Sequence, residues 1–209
     1  MQGAFFPQPR LRNVQEWNKW ADTQGKWCHI HEQHGWIYGY WVCGRPHGKR
    51  TRLYGEYPHR FLERALRMFD VNEERILHAP SGLVPGPGVT MDRLVYGPGL
   101  PQIIGDVGAM PFPDDSFDLV LSDPPYSRAD ERLYDANSKP FPLKRFMSEC
   151  HRVLQPGGFL GFLHTYTGPP RSNKKWRSRG IIAVAPSTQL NRTRTFSILQ
   201  KIGRSGDSE

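Results

Sequence analysis

The sequence predicts an α/β fold built on an open, mostly parallel sheet. Three observations carry this. From Arg75 onward, short apolar runs alternate with Gly/Pro-rich turns. One helical period is plain over 142–154, where Leu143, Phe146, Met147, Cys150, Val153 and Leu154 recur at i, i+3, i+4 and i+7. Acidic or small polar residues stand where successive apolar runs end.

Taken in order, residues 1–53 are rich in Trp, His, Tyr and Arg with poor periodicity, and form an N-terminal extension. Within it WIYGYWV, 36–42, is a predicted strand, and the tryptophans Trp17, Trp20, Trp27, Trp36 and Trp41 are expected in the core. The main domain is expected over 54–202 and a disordered tail over 203–209. A helix is predicted over 58–69, with Phe61, Leu62, Ala65, Leu66 and Phe69 on one face and Pro58 in its first turn. RILHA, GVTMD, QIIGD and FDLVLS are the next four strands. QPGG stops the helix over 142–154, and FLGFLHT is a fifth strand. IIAVA and TFSILQ are expected to pair antiparallel at one edge. The early strands are separated by only about nine residues where a helical crossover needs ~10–12. Shortened crossovers follow, and residues 1–70 are expected to cover the face left bare.

Of 209 residues, 37% are hydrophobic and 23% charged, which suits a soluble globular chain. No apolar run approaches the ~20 residues of a membrane helix. Three cysteines, an odd number, speak for a reducing compartment, and the cytoplasm is the expected location. The formal net charge of +8 favours a polyanionic partner. No Asp or Glu occurs over 150–206, an interval with ten Lys and Arg. The densest basic stretch, RSNKKWRSR, offers Arg171, Lys174, Lys175, Arg177 and Arg179 to phosphates and Trp176 to a base. Cys28, His31, Cys43 and His47 have a ligand-like spacing, but the first pair is not a Cys pair and Cys43 falls in a strand. No metal is assigned, and zinc at these four residues stays open.

In open α/β sheets ligands bind at the carboxyl ends of the strands. The Ser81–Gly82 turn, Asp92, Asp106 and Asp123-Pro-Pro-Tyr126 all fall at such ends. LSDPPY after FDLV resembles the signature of S-adenosylmethionine-dependent amino-methyltransferases, which methylate N6 of adenine or N4 of cytosine. GDVGAMPFPDDSFDLVLSDPPY and HRVLQPGGFLGFL resemble Rossmann-like class I methyltransferases in general. YGEYPHRFLERALRMF with ILHAPSG resembles small phage- or plasmid-borne DNA methyltransferases.

This resemblance implies S-adenosylmethionine as cofactor and DNA as partner, with RNA as the alternative. It implies cofactor contacts from the His78 position, from Ser81 and Gly82, from Asp92 to ribose hydroxyls and from Asp106 to the adenine amine, with Asp123 lining the same crevice. His78 stands where the family has an acid, and Val84 where it has a second glycine. A decayed, non-catalytic nucleic-acid binder is therefore the rival from another class.

The residue chemistry runs in the same direction. An exocyclic base amine is a poor nucleophile because its lone pair is delocalised into the ring. Asp123 and the Pro124 carbonyl can each accept one N–H and localise that pair. Pro124 and Pro125 stiffen the backbone and carry no competing N–H. Tyr126 is placed to stack on the flipped base.

Overall fold

The computed structural model describes residues 7–24, 27–43, 57–84, 86–94, 100–125, 132, 140–165, 172–185 and 193–203. Among them are eleven strands: β1 (Arg10–Leu11), β2 (Ile30–Gln33), β3 (Trp36–Val42), β4 (Phe69–Asp70), β5 (Ile76–His78), β6 (Val89–Asp92), β7 (Ile103–Ile104), β8 (Phe117–Ser122), β9 (Leu154–His164), β10 (Trp176–Ala185) and β11 (Arg194–Lys201). The α-helices are α1 (Val14–Thr23), α2 (Phe61–Arg67) and α3 (Leu143–Val153).

Nine strands form one sheet in the order β2-β3-β10-β11-β9-β8-β5-β6-β7. From β9 through β8, β5 and β6 to β7 every pairing is parallel. β11 runs antiparallel to both β9 and β10. The expected antiparallel pairing of IIAVA with TFSILQ is present, but it is not an edge. The N-terminal segment adds β3 parallel to β10, and β2 antiparallel to β3. Gly180 makes that junction possible, because a Cβ there would stand 2.3 Å from the Ile37 carbonyl oxygen.

The hairpin β2–β3 and helix α1 were not foreseen. His34 and Gly35, at φ 53° and 73°, form a two-residue loop with both residues left-handed, which matches the twist of paired strands. Asn13 caps α1 by accepting from the Gln15 and Glu16 N–H groups, at 2.8 and 3.3 Å. Val14, Trp17 and Ala21 are its buried stripe.

The predicted helix over 58–69 is shorter. Arg60 sits left-handed at φ 60°, so α2 starts after it, and Phe69 leaves the helix to pair with Leu11. QPGG does stop α3, yet the chain passes straight into β9. β10 starts at Trp176, so Arg177 and Arg179 of the basic stretch lie on a strand while Lys174 and Lys175 precede it.

The central strands are covered on both faces. Helices α1 and α2 bury Trp17, Phe61, Ala65 and Met68 against Ile37, Trp41, Leu119, Leu121 and Phe196. Trp17 and Trp41 stack at 5.5 Å with planes 4° apart, and Phe61 meets Phe196 edge-on at 5.1 Å. This is the cover expected from residues 1–70. On the other face, α3 buries Phe146, Cys150 and Val153 against Leu77, Val120, Leu160 and Leu199. No helix occurs between β5 and β6 among the described residues. The chain returns tightly there: Gly88, at φ 97°, passes so close to Ile76 that a Cβ would lie 2.5 Å from its carbonyl oxygen. No helix among the described residues is long and apolar enough to cross a membrane.

Candidate active site

The amino ends of the central strands are saturated with partners. Asp118, 1% exposed, accepts from Arg75 Nε at 2.6 Å, Gln155 Nε2 at 2.7 Å and the Asn72 N–H at 3.2 Å. Lys201 donates to Asp115 at 2.7 Å and to the Leu154 carbonyl at 2.6 Å. Buried charge at this end is neutralised and hydrogen-bonded, as a structural role requires.

The carboxyl ends differ. His78 closes β5, Ser122 closes β8, and the two strands are neighbours with His78 opposite Leu121. Ser81 follows β5 and donates its N–H to the Met91 carbonyl, beside the end of β6. His78 Nδ1, Ser81 Oγ and Ser122 Oγ are all buried without a hydrogen-bond partner. A buried unpaired polar atom costs about 1–3 kcal/mol, so three near adjacent strand ends need an explanation. His78 Nε2 lies 2.9 Å from the Pro87 carbonyl, which can only accept, so Nε2 carries the proton. Burial lowers the His78 pKa, outweighing that bond, and the ring is neutral. Nδ1 is then a bare acceptor awaiting a donor.

Asp92, at the end of β6, is 5% exposed. Its Oδ2 accepts the Gly82 N–H at 2.9 Å, and its Oδ1 the Leu94 N–H at 3.2 Å. It ties the Ser81–Gly82 turn to β6, and each oxygen keeps a second lone pair. Asp106 lies two residues beyond β7, exposed, with Oδ1 on the Gly108 N–H at 2.8 Å. The Ser81–Gly82 turn, His78 and Asp92 are thus brought together, with Asp106 on the outer rim.

Asp123 follows Ser122, with its side chain 14% exposed and Arg194 Nη1 3.1 Å from Oδ2. Burial pushes its carboxyl up to about 7, while the Arg194 charge and hydrogen bond hold it down. Tyr57 lies in the same field: its hydroxyl is buried without a hydrogen bond, and burial, then the Asp123 charge, push its pKa well up. Pro124 is buried and Pro125 half-buried. Tyr126 lies outside the described residues. Arg194 and Tyr57 were not singled out from sequence. Arg194 comes from β11, far along the chain, and only the register β8–β9–β11 delivers it.

The basic stretch is not brought to this site. Arg171 lies outside the described residues. Lys174, Lys175 and Arg177 are exposed, and Arg179 donates to Gln200 at 3.1 Å. β10 enters the sheet from the amino-end side, where the Lys175 carbonyl accepts from Ile202. Ser122 is level with Phe162, Ser197 and then Ile181 across the sheet. Trp176 is five residues before Ile181, roughly 17 Å at ~3.3 Å per residue. Trp176 is also 4% exposed, packed edge-on to His151 at 5.3 Å, and has no face to offer a base. Of the open zinc pattern, Cys28 and Cys43 are buried thiols whose pKa values burial raises, to about 11 for Cys43. His31 stacks on Tyr38 at 5.4 Å, and His47 lies outside the described residues. No metal-holding cluster occurs among the described residues.

Residues 89–162, from β6 into β9, match the family model described as a methyltransferase domain. A phthiotriol/phenolphthiotriol dimycocerosates methyltransferase of Mycobacterium ulcerans is 34% identical over 94 residues, 45% of this chain and 29% of that protein. Its counterpart from Mycobacterium tuberculosis is 31% identical over 107 residues, 51% of this chain and 34% of that one. The chain spans about a third of the length of these curated relatives.

Among solved structures, TrmN from Thermus thermophilus is similar at 18% identity and TM-score 0.38, covering 62% of this chain and 44% of that one. An arsenic(III) S-adenosylmethionine methyltransferase from Chlamydomonas reinhardtii is similar at 18% identity and TM-score 0.33, covering 66% of each chain. The fold is α/β, of the Rossmann-like methyltransferase kind, and S-adenosylmethionine is the methyl donor it implies. The stretch that matches this family model includes Asp92, Asp106 and Asp123, with His78 and Ser81 ahead of it.

Proposed function

We propose that this chain transfers a methyl group from S-adenosylmethionine to the exocyclic amine of a base in DNA, at N6 of adenine. One observation carries the reading. A carboxylate, Asp123, stands nearly buried at the end of β8, between a strand and two prolines, and titrates near neutrality.

The residues at the strand ends fit the cofactor. The bare Nδ1 of His78 suits an ammonium group, in place of the acid that the resembling family carries there. The Ser81 hydroxyl, buried without a partner, suits its carboxylate end. Asp92 has lone pairs left for ribose hydroxyls, and Asp106 is free to take an amine at the rim. When bound, S-adenosylmethionine supplies an electrophilic methyl group on a sulfonium centre.

The chain does the rest with few groups. Asp123 and the Pro124 carbonyl accept the two N–H bonds of the amine and turn its lone pair out of the ring. Arg194 holds Asp123 in place and favours its ionised form. The methylated nitrogen carries one proton too many, and Asp123 is basic enough to take it and pass it to water. Charge developing on nitrogen meets a fixed carboxylate in a poorly solvated site, where electrostatics act strongly.

The test is incubation with labelled S-adenosylmethionine and separate DNA and RNA pools. The reading predicts label in adenine of DNA. Label in RNA alone, in a small-molecule hydroxyl acceptor, or nowhere despite cofactor binding would overturn it.

A further inference from the structure

β3 presents two faces. Ile37 and Trp41 point into the core, at 3% and 0% exposure. The alternate residues Trp36, Tyr38 and Tyr40 point to the other face. Tyr38 and Tyr40 are 40% and 44% exposed there, and Trp36 is half-buried. These rings do not stand singly. Tyr38 lies against His31 of β2 at 5.4 Å with planes 30° apart, and against Trp36 at 6.3 Å with planes 24° apart. Trp36 Nε1 donates to Ser178 Oγ of β10 at 3.4 Å. A row of aromatic rings in near-parallel planes, fixed on strands and open to solvent, is an unusual surface to leave bare.

Its level in the sheet gives it meaning. Ser122 is level with Phe162, Phe162 with Ser197, Ser197 with Ile181, and Ile181 with Tyr38. Tyr38 and Tyr40 therefore stand at the same end of the sheet as Asp123, four strands across, or roughly 19 Å at ~4.8 Å per strand. The strands between, β9 to β11, contain no Asp or Glu, and the whole chain carries a net charge of +8. By alternation, Glu32 of β2 points away from this face, while His31 lies on it. The surface is aromatic, lies on paired strands and belongs to a chain of net charge +8, which suits stacked bases on a phosphate chain.

We propose that the open face of β2 and β3 is a stacking platform for unpaired bases of single-stranded nucleic acid, with Tyr38 and Tyr40 as its principal rings. Every base has a π-face, so such a platform binds without reading sequence. It extends the reading above: the strand whose base enters the site at Asp123 continues across the sheet onto β3. It also supplies at the correct end of the molecule what the Lys174–Arg179 stretch does not.

The experiment is fluorescence anisotropy with a short labelled single-stranded DNA, an RNA of the same sequence, and a duplex. The proteins are wild type, Tyr38→Ala/Tyr40→Ala and Tyr38→Phe/Tyr40→Phe, each checked for cofactor affinity by calorimetry and for size by sedimentation. The platform predicts about tenfold weaker single-strand binding for each ring lost, near-wild-type binding for the Phe pair, and unchanged cofactor affinity. Equal affinity of the Ala pair and wild type for both single strands would overturn it. So would a wild-type dimer that the Ala pair abolishes, since the face would then be a self-interface. Loss of both cofactor and DNA binding signals misfolding, and Tyr40→Ala alone then decides by the same criterion. Wild-type binding of single strands without methylation removes the enzymatic reading and leaves the platform standing. Methylation unaffected in the Ala pair, with unchanged binding, removes only the platform.

Discussion

The two ends of the central sheet are built on opposite rules. At the amino ends, Asp118 has three hydrogen-bond donors, and Lys201 has a carboxylate and a carbonyl. At the carboxyl ends, His78 Nδ1, Ser81 Oγ, Ser122 Oγ and the Tyr57 hydroxyl have none, and Asp123 is held near neutrality. A chain that only had to fold would treat both ends alike. The contrast teaches that a polar group completed by its own chain is structural. One left incomplete at the carboxyl ends of the strands is open to a ligand, whereas the unpaired Nε1 atoms of Trp17 and Trp41 are enclosed in the core.

Four changes test that contrast, in order of expected size. Asp92→Ala removes the acceptor for the Gly82 and Leu94 N–H groups and, on this account, for the cofactor ribose. Calorimetry should show S-adenosylmethionine binding weakened by about a hundredfold, two charge-assisted hydrogen bonds at ~1.5 kcal/mol each. An equal loss with Asp106→Ala, on the exposed rim, would blur the distinction between inner and outer residues.

The second concerns pH. Asp123 must be ionised to take the amine's proton, so turnover should rise about tenfold per pH unit below about 7 and level off above it. Arg194→Gln removes the charge that holds this carboxyl down, so the midpoint should move to higher pH. A flat profile between about 5 and 8 would separate Asp123 from the chemistry.

The third is thermodynamic. The folded carboxyl titrates at about 7 and its reference value is 3.8. Between these values the unfolded chain releases the proton more readily. Ionisation therefore costs the folded state nothing below 3.8, progressively more up to about 7, and the full penalty above. Thermal midpoints of wild type should fall across that window, and Asp123→Asn should lack this component. The smallest effect belongs to the saturated end. Neutralising Lys174, Lys175 and Arg177 together should leave methylation of a short oligonucleotide within about twofold, as their distance from Asp123 and the screening of exposed charges dictate. A drop comparable to that of Asp92→Ala would put the nucleic acid across the amino ends.

Much of this was legible from the chain alone, and the reasons are local. β3 and β8 fall on their predicted residues because an apolar run bounded by turn formers leaves little choice. α3 matches its period within a residue. The short return from β5 to β6 was visible in the spacing. α1 went unnoticed in an aromatic-rich stretch, although Asn13 ahead of Val14, Trp17 and Ala21 spells a cap and a buried stripe. The His34–Gly35 hairpin turn was equally readable.

What could not be read is non-local. Nothing near Arg194 says that it meets Asp123, and nothing in RSNKKWRSR says which end of the sheet it occupies. Strand register decides both. The expectation that all five N-terminal tryptophans lie in the core held for Trp17 and Trp41, and in part for Trp20, which packs half-buried against it. It failed for Trp27, 62% exposed, and for Trp36, on the open face of β3.

The most direct test of the account is Asp123→Ala, assayed in parallel for cofactor affinity and for methyl incorporation into DNA. Calorimetry should give a binding constant within a few-fold of wild type, while incorporation should fall by about two to three orders of magnitude. Near-full incorporation by this variant would contradict the assignment of Asp123 as the acceptor for the amine, and with it the reading of the strand-end site.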